Sequence, residues 1–242
     1  MTDTITNNII DIDRLQFRWK PKAPLVLDIE RLQVAKAERL FLCGPSGSGK
    51  SSLLNLVAGV VLAESGKITV AGTELSSLSG PQRDRFRADT IGFIFQMFNL
   101  IPYLSVVENV LLGLSFARGR KKALAAKGQA RAEAIRLLQA LQLDEALFSR
   151  SVGQLSIGQQ QRVAAARAML ASPPLLIADE PSSALDADTR ESFITLLFEE
   201  CERSGMTLLF VSHDASLQPL FDRTIALTDI NRVKTSPNRV LR

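Results

Sequence analysis

The stretch RLFLCGPSGSGKSSLLNLVAGV, Arg39 to Val60, decides the fold. RLFLC is a short apolar strand, SLLNLVAGV carries helical spacing, and GPSGSGKS between them matches G-x-x-x-x-G-K-[ST] in full, from Gly44 to Ser51. Each residue type in that loop has a chemical reason. Gly44, Gly47 and Gly49 let the backbone close around a polyphosphate, so that successive N–H groups and the helix N-terminus point at its oxygens. Lys50 reaches the β- and γ-phosphates, and the Ser51 hydroxyl is a ligand for Mg²⁺. Pro45, Ser46, Ser48 and Ser52 complete the loop and the first helical turn, and are counted with it as nucleotide-binding positions.

Outward from this loop the chain alternates. Upstream, IIDIDRLQF and LVLDIERLQV, interrupted at Pro21 and Pro24, have the alternation of strands. Downstream, KITVAGTEL reads as a strand and turn, and TIGFIFQ as a buried strand ending at Gln96. From Met97 to Ala171 the composition shifts to Leu, Ala, Gln and Arg, as in AKGQARAEAIRLLQALQL, which predicts a helical insertion closed by Pro173 and Pro174. Strand LLIADE, a helix in DADTRESFITLLFEECERSG with Asp188 near its start and Gly205 at its stop, and strands in MTLLFVSHD and RTIALTD follow. Strands and helices in alternation around a helical insertion predict an α/β fold with an appended helical lobe.

Several polar groups fall at strand ends, which a parallel sheet brings together beside the phosphate loop. LLIADEP ends its strand in adjacent carboxylates, a costly arrangement unless they face a cation or a reacting water. Asp179 suits Mg²⁺ and Glu180 suits a general base acting on water. Taken alone, such a pair is more often an exposed turn; the loop upstream reverses the preference. His213, the only histidine, ends TLLFVS, and Gln96 ends IGFIF, where an amide could meet Mg²⁺ or water. In LSIGQQQR, Ser156 followed three positions later by Gln159 is a capping box, which needs no ligand. The cap does not require Gly158, which suits a helix start whose amides approach an anion closely.

The composition bounds the rest. The 242 residues are 46% hydrophobic and 22% charged, enough for a sizeable core and unlike a disordered chain. No apolar run approaches the roughly 18 residues of a membrane span, and MTDTITNNIIDIDRL lacks the basic and apolar regions of a secretory signal, so a cytosolic protein is expected. Cys43 and Cys201 lie in apolar stretches without metal-ligand spacing and read as buried reduced thiols. The net charge of +4 and the RGRKK cluster, Arg118 to Lys122, are weak evidence for an anionic partner.

Together these motifs resemble the nucleotide-binding subunit of ATP-binding cassette (ABC) transporters over nearly the full chain. The phosphate loop, Gln96, LSIGQ at 155–159, LLIADEP, SALD at 183–186 and His213 occur in that family's order. The resemblance implies a P-loop NTPase core (1–96 and 172–242) with a mainly parallel sheet, an N-terminal antiparallel β subdomain and an inserted α-helical subdomain (97–171). It implies ATP and Mg²⁺ as ligands, with Ser51, Gln96 and Asp179 around the metal and Glu180, Gln96 and His213 in catalysis. It implies a head-to-tail homodimer in which Ser156, Gly158 and Gln159 serve the nucleotide held by the other chain. Trp19 matches the adenine-stacking aromatic, with Phe17 as competitor. Ile157 stands where the family usually has glycine; with Ser156 as cap it becomes the first helical residue and needs no left-handed backbone.

Three machines are compatible with such a cassette: a membrane transporter, a non-transporting membrane or periplasmic machine, and a soluble protein of DNA repair or translation. The compact helical insertion and the single cassette disfavour the last. GFIFQMFNLIPYLSVVENV most resembles cassettes of lipoprotein-release, macrolide-export and cell-division complexes, which implies a permease with a periplasmic or extracellular part and no nucleic acid. Phe98, Leu100, Ile101 and Tyr103 are the expected docking residues, and the chain is expected on the inner face of the cell membrane.

Overall fold

The computed structural model describes residues 7–125 and 129–233. Two sheets organise it. The first is antiparallel, with β1 (Asn8–Phe17), β2 (Leu27–Ala35), β4 (Ser65–Val70) and β5 (Thr73–Glu74) in the order β2-β1-β4-β5. The second is wholly parallel, with β3 (Arg39–Cys43), β6 (Ile91–Ile94), β7 (Leu175–Asp179), β8 (Thr207–Val211) and β9 (Arg223–Ala226) in the order β6-β7-β8-β3-β9. The expected α/β class with a parallel P-loop sheet and an antiparallel N-terminal sheet is what the chain adopts.

Strand alternation distributes the parallel sheet between two cores. Phe41, Leu176, Ala178, Leu208 and Phe210 face one cluster, which also holds the buried faces of α3 (Val106–Leu111), α5 (Ala130–Ala140), α6 (Ile157–Met169) and α7 (Ala187–Ser204). Leu40, Leu42, Leu175, Ile177, Leu209 and Val211 face the other, shared with the antiparallel sheet and α1 (Lys50–Val57). A sheet covered on both faces needs continuous apolar strands, which is why LLIA and TLLFV carry no polar alternation. Gly92 in β6 is required by packing. A Cβ there would lie 2.2 Å from the carbonyl oxygen of Ala168, so only glycine lets α6 lie against the sheet.

Two expectations need correction. The strand expected to end at Gln96 ends at Ile94, and Phe95–Met97 leave the sheet in a turn, with Phe98 and Asn99 at positive φ of 55° and 51°. A helix not anticipated, α2 (Gly80–Thr90), precedes it. That helix has no buried residue and so no apolar stripe to betray it. A Ser79–Gln82 capping box with Pro81 in its first turn starts it, and it leans on α4 (Arg118–Ala125) and β6. The helix foreseen after LLIADEP is α7, with Asp186 as its cap, Asp188 in its first turn as expected, and Gly205 closing it in a left-handed conformation. Cys201 is buried, and burial pushes its thiol up to about 12, as suits an inert core residue.

Candidate active site

The parallel sheet delivers its chemistry at one end. Strands β7, β8 and β3 are neighbours, and Glu180, His213 and the phosphate loop follow their C-termini. The loop turns tightly because Gly47 and Gly49 carry φ of 78° and 106°, the second serving as left-handed N-cap of α1. Lys50 Nζ donates across it to the carbonyls of Gly44, at 2.7 Å, and Pro45, at 3.1 Å. Pro45, Ser46 and Ser51 are exposed; Ser48 and Ser52 are buried, the Ser48 Oγ without a hydrogen-bond partner.

Asn231, which no sequence motif singles out, braces this loop from beneath. Its Nδ2 donates to Val26 O at 3.0 Å and to Ser48 O at 3.4 Å, and its Oδ1 accepts from Asp28 N at 2.9 Å. One buried amide therefore links the phosphate loop to the start of β2, on the side of the chain that carries Trp19. Trp19 is 55% exposed and meets Phe17 edge-on at 5.1 Å, whereas Phe17 is 4% exposed and belongs to the core. Of the two aromatic candidates, only Trp19 has a free face.

The carboxylates at the end of β7 differ in surroundings. Burial, with Glu180 next to it and Lys50 opposing, holds the Asp179 carboxyl above its ordinary range. Glu180 Oε1 lies 2.8 Å from His213 Nδ1, and its Oε2 accepts from Ser212 Oγ at 3.3 Å. This contact fixes the orientation of the imidazole and leaves Nε2 on the side away from Glu180. The Glu180 backbone is left-handed, φ 47°, a conformation that costs a non-glycine residue roughly 1–3 kcal/mol and persists only where neighbours over-determine it. Its N–H donates to Val211 O at 2.9 Å, continuing the ladder between β7 and β8 by one bond.

These groups suit a hard dication. A half-buried carboxylate with its proton affinity raised and a hydroxyl at Ser51 are oxygen donors of the kind Mg²⁺ takes. Among the described residues no group of three His, Cys, Asp or Glu could cage a metal, so a bound ion would depend on phosphate oxygens and water for its remaining ligands. Gln96 is exposed, in the turn after β6. Beyond Met97, the carbonyls of Phe98 and Asn99 accept from Arg167, the latter at 2.7 Å.

The residues Ser156 to Gln159 form the N-terminus of α6. Ser156 Oγ accepts from Gln159 N at 3.3 Å and Gln159 Oε1 accepts from Ser156 N at 3.0 Å, completing the capping box. Ile157 is the first helical residue and 54% exposed, without positive φ, so its β-branched side chain imposes no backbone strain. Gly158 faces Leu185 and Thr189, where a Cβ would be 3.6 and 3.5 Å from their methyls. Replacing Ile157 by glycine is therefore expected to leave ATP turnover within about threefold of native, because no strain is relieved. A phosphate-release assay showing a large gain would contradict that backbone reading.

Residues 27–183 match the family model described as ABC transporter. The chain belongs to the ABC transporter family. This cassette is 41% identical over 209 residues to a lipoprotein-releasing system ATP-binding protein, LolD, of Anaeromyxobacter dehalogenans, covering 86% of this chain and 84% of that protein. It is 37% identical over 198 residues to an ABC transporter ATP-binding protein of Methanocaldococcus jannaschii, MJ0796, covering 82% and 83%. The dimeric structure of the latter in a post-hydrolysis state with ADP and Pi superposes with a TM-score of 0.77 at 34% identity, covering 90% of this chain and 93% of that one. The cassette is an ATP-binding, ATP-hydrolysing subunit of the transporter type.

Proposed function

We propose that two copies of this cassette hold two ATP molecules between them and drive a membrane permease of the lipoprotein-release type. The observation that carries this reading is the opposite character of two exposed anion sites in one chain. The phosphate loop has its lysine and catalytic carboxylates beside it, whereas the N-terminus of α6 has free helix amides and no acid or base. Among the described residues the side chains of Ser156, Gln159 and Gln160 hydrogen-bond within residues 155–160, and Ser156 Oγ takes the Gln159 N–H, which leaves the Ile157 and Gly158 N–H groups for a ligand from outside. A second chain brings that ligand, and the dimer known for MJ0796 supports the pairing.

In this reading Gly44 to Ser52 bind the triphosphate, Trp19 stacks on the adenine, and Glu180 takes a proton from the attacking water. His213, tethered to Glu180, senses the γ-phosphate; Ser156, Gly158 and Gln159 bind that phosphate from the partner chain. When Mg²⁺ is bound, by Ser51, Asp179 and Gln96, it neutralises charge on the phosphate oxygens. Residues 97–171 act as the helical lobe that carries motion to the permease.

A groove of about 390 Å³ beside α6 supports the permease partner. Phe93, Phe95, Leu112 and Phe116 line it with Arg120 and Arg167, and Phe116 and nearby Met97 are 83% and 81% exposed. Apolar rings left in water on a soluble face mark an interaction site. Of the docking residues expected from sequence, Leu100 instead packs on the core and Phe98 and Ile101 are half-buried, while Tyr103 is exposed but outside the groove lining. Among the described residues no helix is long and apolar enough to cross a membrane, so attachment to the inner face of the cell membrane would be through the permease. Phe116→Asp is expected to keep solution ATPase within about twofold, since exposed substitutions shift stability by at most ~0.5 kcal/mol. The same variant should no longer co-purify with an integral membrane protein from source membranes. Retention at the native level would remove the groove from the docking surface.

A further inference from the structure

Two loops at the C-terminal end of the parallel sheet are tied together by one guanidinium. Arg190, in the first turn of α7, donates from Nη2 to the carbonyl of Leu185 at 2.9 Å and pairs through Nη1 with the Asp214 carboxylate. The Asp214 N–H donates to Ser212 Oγ at 3.2 Å, and Ser212 Oγ donates to Glu180 Oε2 at 3.3 Å. His213, between Ser212 and Asp214 in the chain, holds the other oxygen of the same carboxylate. A continuous path of polar contacts thus runs from the loop Ser183–Asp186 to Glu180.

The ends of this path are fixed locally. Asp186 caps α7 through Thr189 N at 2.9 Å, and Asp214 Oδ1 accepts from Ser216 N at 3.0 Å and Ser216 Oγ at 2.6 Å. The Arg190 and Asp214 side chains are 24% and 29% exposed, so their pairing is shielded from water more than a surface ion pair. The left-handed Glu180 is held directly by Val211, Ser212 and His213, and the pairing anchors the segment that carries the last two.

We propose that Arg190 and Asp214 are positioning residues for hydrolysis, coupling the placement of Glu180 and His213 to that of the loop Ser183–Asp186. The proposal rests on Glu180 being the general base. Neither residue touches the reacting atoms; a displacement of the loop moves the Leu185 carbonyl, hence Arg190, hence the segment Ser212–Asp214 against Glu180. Misplacement of catalytic groups by about 1 Å can cost up to a hundredfold in rate without altering ground-state binding.

Arg190→Met keeps the side-chain stem, and Asp214→Asn keeps an acceptor for the Ser216 cap while removing the charge. Each single variant is expected to lower kcat about tenfold while ATP affinity, read from Trp19 fluorescence, stays within about twofold. The double variant should be no slower than the slower single one, because both remove the same link. Arg190→Lys should recover part of the rate, a rescue that generalised loss of packing would not show. Should Arg190→Met fail to fold, Asp214→Asn carries the same test. Native kcat in the single variants, or losses that multiply in the double variant, would overturn the proposal. Glu180→Gln in the same assay separates the two readings: a native rate there defeats the base assignment, whereas an inactive Glu180→Gln beside a native Arg190→Met defeats only the link.

Discussion

Glu180→Gln is expected to lower ATP turnover by about 10²–10⁴-fold, the range that general base catalysis contributes, while ATP still binds. The amide has the size of the carboxylate and its oxygen can still meet His213 Nδ1, now 2.8 Å away, so the end of β8 keeps its arrangement. What the amide cannot do is accept a proton from water at neutral pH. Binding is expected to be preserved because the phosphate loop makes its own contacts: Lys50 donates to loop carbonyls, and the loop is braced through Asn231. The only tryptophan, Trp19, stands more than half exposed, so adenine stacking should quench its fluorescence and report binding independently of chemistry. Phosphate release at the native rate from this variant would show that the base is another group.

Asp179→Asn is expected to act in opposite directions on stability and activity. In the folded protein the Asp179 carboxyl is held above its ordinary range, chiefly by burial and then by Glu180. The unfolded chain loses this proton at lower pH than the folded one, so folding with the charge in place carries a penalty above the folded value and none below the unfolded one. The neutral amide removes that penalty. At pH 7 the nucleotide-free variant should melt a few degrees higher, about 2–4 °C for each kcal/mol in a chain of this size. The gain should vanish as pH falls below about 4, where the aspartate is protonated in both states. Turnover should drop by about 10²-fold or more, since the variant loses the anionic oxygen donor expected to hold Mg²⁺. Melting by circular dichroism across pH and a Mg²⁺-dependent phosphate assay test both halves. A variant that melts lower at pH 7 would mean that Asp179 stabilises the fold by a contact that the burial argument omits.

Most of the architecture was readable from local pattern, and the departures have physical causes. Apolar strands between glycine-rich and proline-rich punctuation mark the main strands, their division into a parallel and an antiparallel sheet being what the family resemblance implies, and Ser156 with Gln159 marks the start of α6 because a capping box is a contact within four residues. Helix α2 has no apolar signal because none of its residues is fully buried and its apolar contact is the half-buried Phe86, and a helix without an apolar stripe has no periodicity to detect. The end of β6 was placed two residues late because Phe95 is as apolar as the strand before it; its ring stacks on Phe93 at 4.2 Å instead of continuing the ladder. The candidate site is legible where one segment carries it, as in the phosphate loop and LLIADEP. Asn231, Arg190 and Asp214 were not, since their contacts join segments 24 to 205 positions apart and no spacing rule reaches across that distance. The choice between Phe17 and Trp19 depended on burial, which a strand-end position leaves open.

Whether each ATP is held by two chains is read from sedimentation of Glu180→Gln with and without ATP, alone and combined with Gly158→Asp. Aspartate is compatible with the fold at that position: its Cβ would make ordinary contacts with Leu185 and Thr189, and an acid in the first turn of α6, which has none, favours the helix. It would nonetheless set a negative charge against a phosphate at the helix start. ATP is expected to convert Glu180→Gln from monomer to dimer with one nucleotide per chain, whereas Gly158→Asp in the same background binds ATP and stays monomeric. A Glu180→Gln chain that saturates with ATP as a monomer, or a Gly158→Asp variant that dimerises as readily, would contradict it.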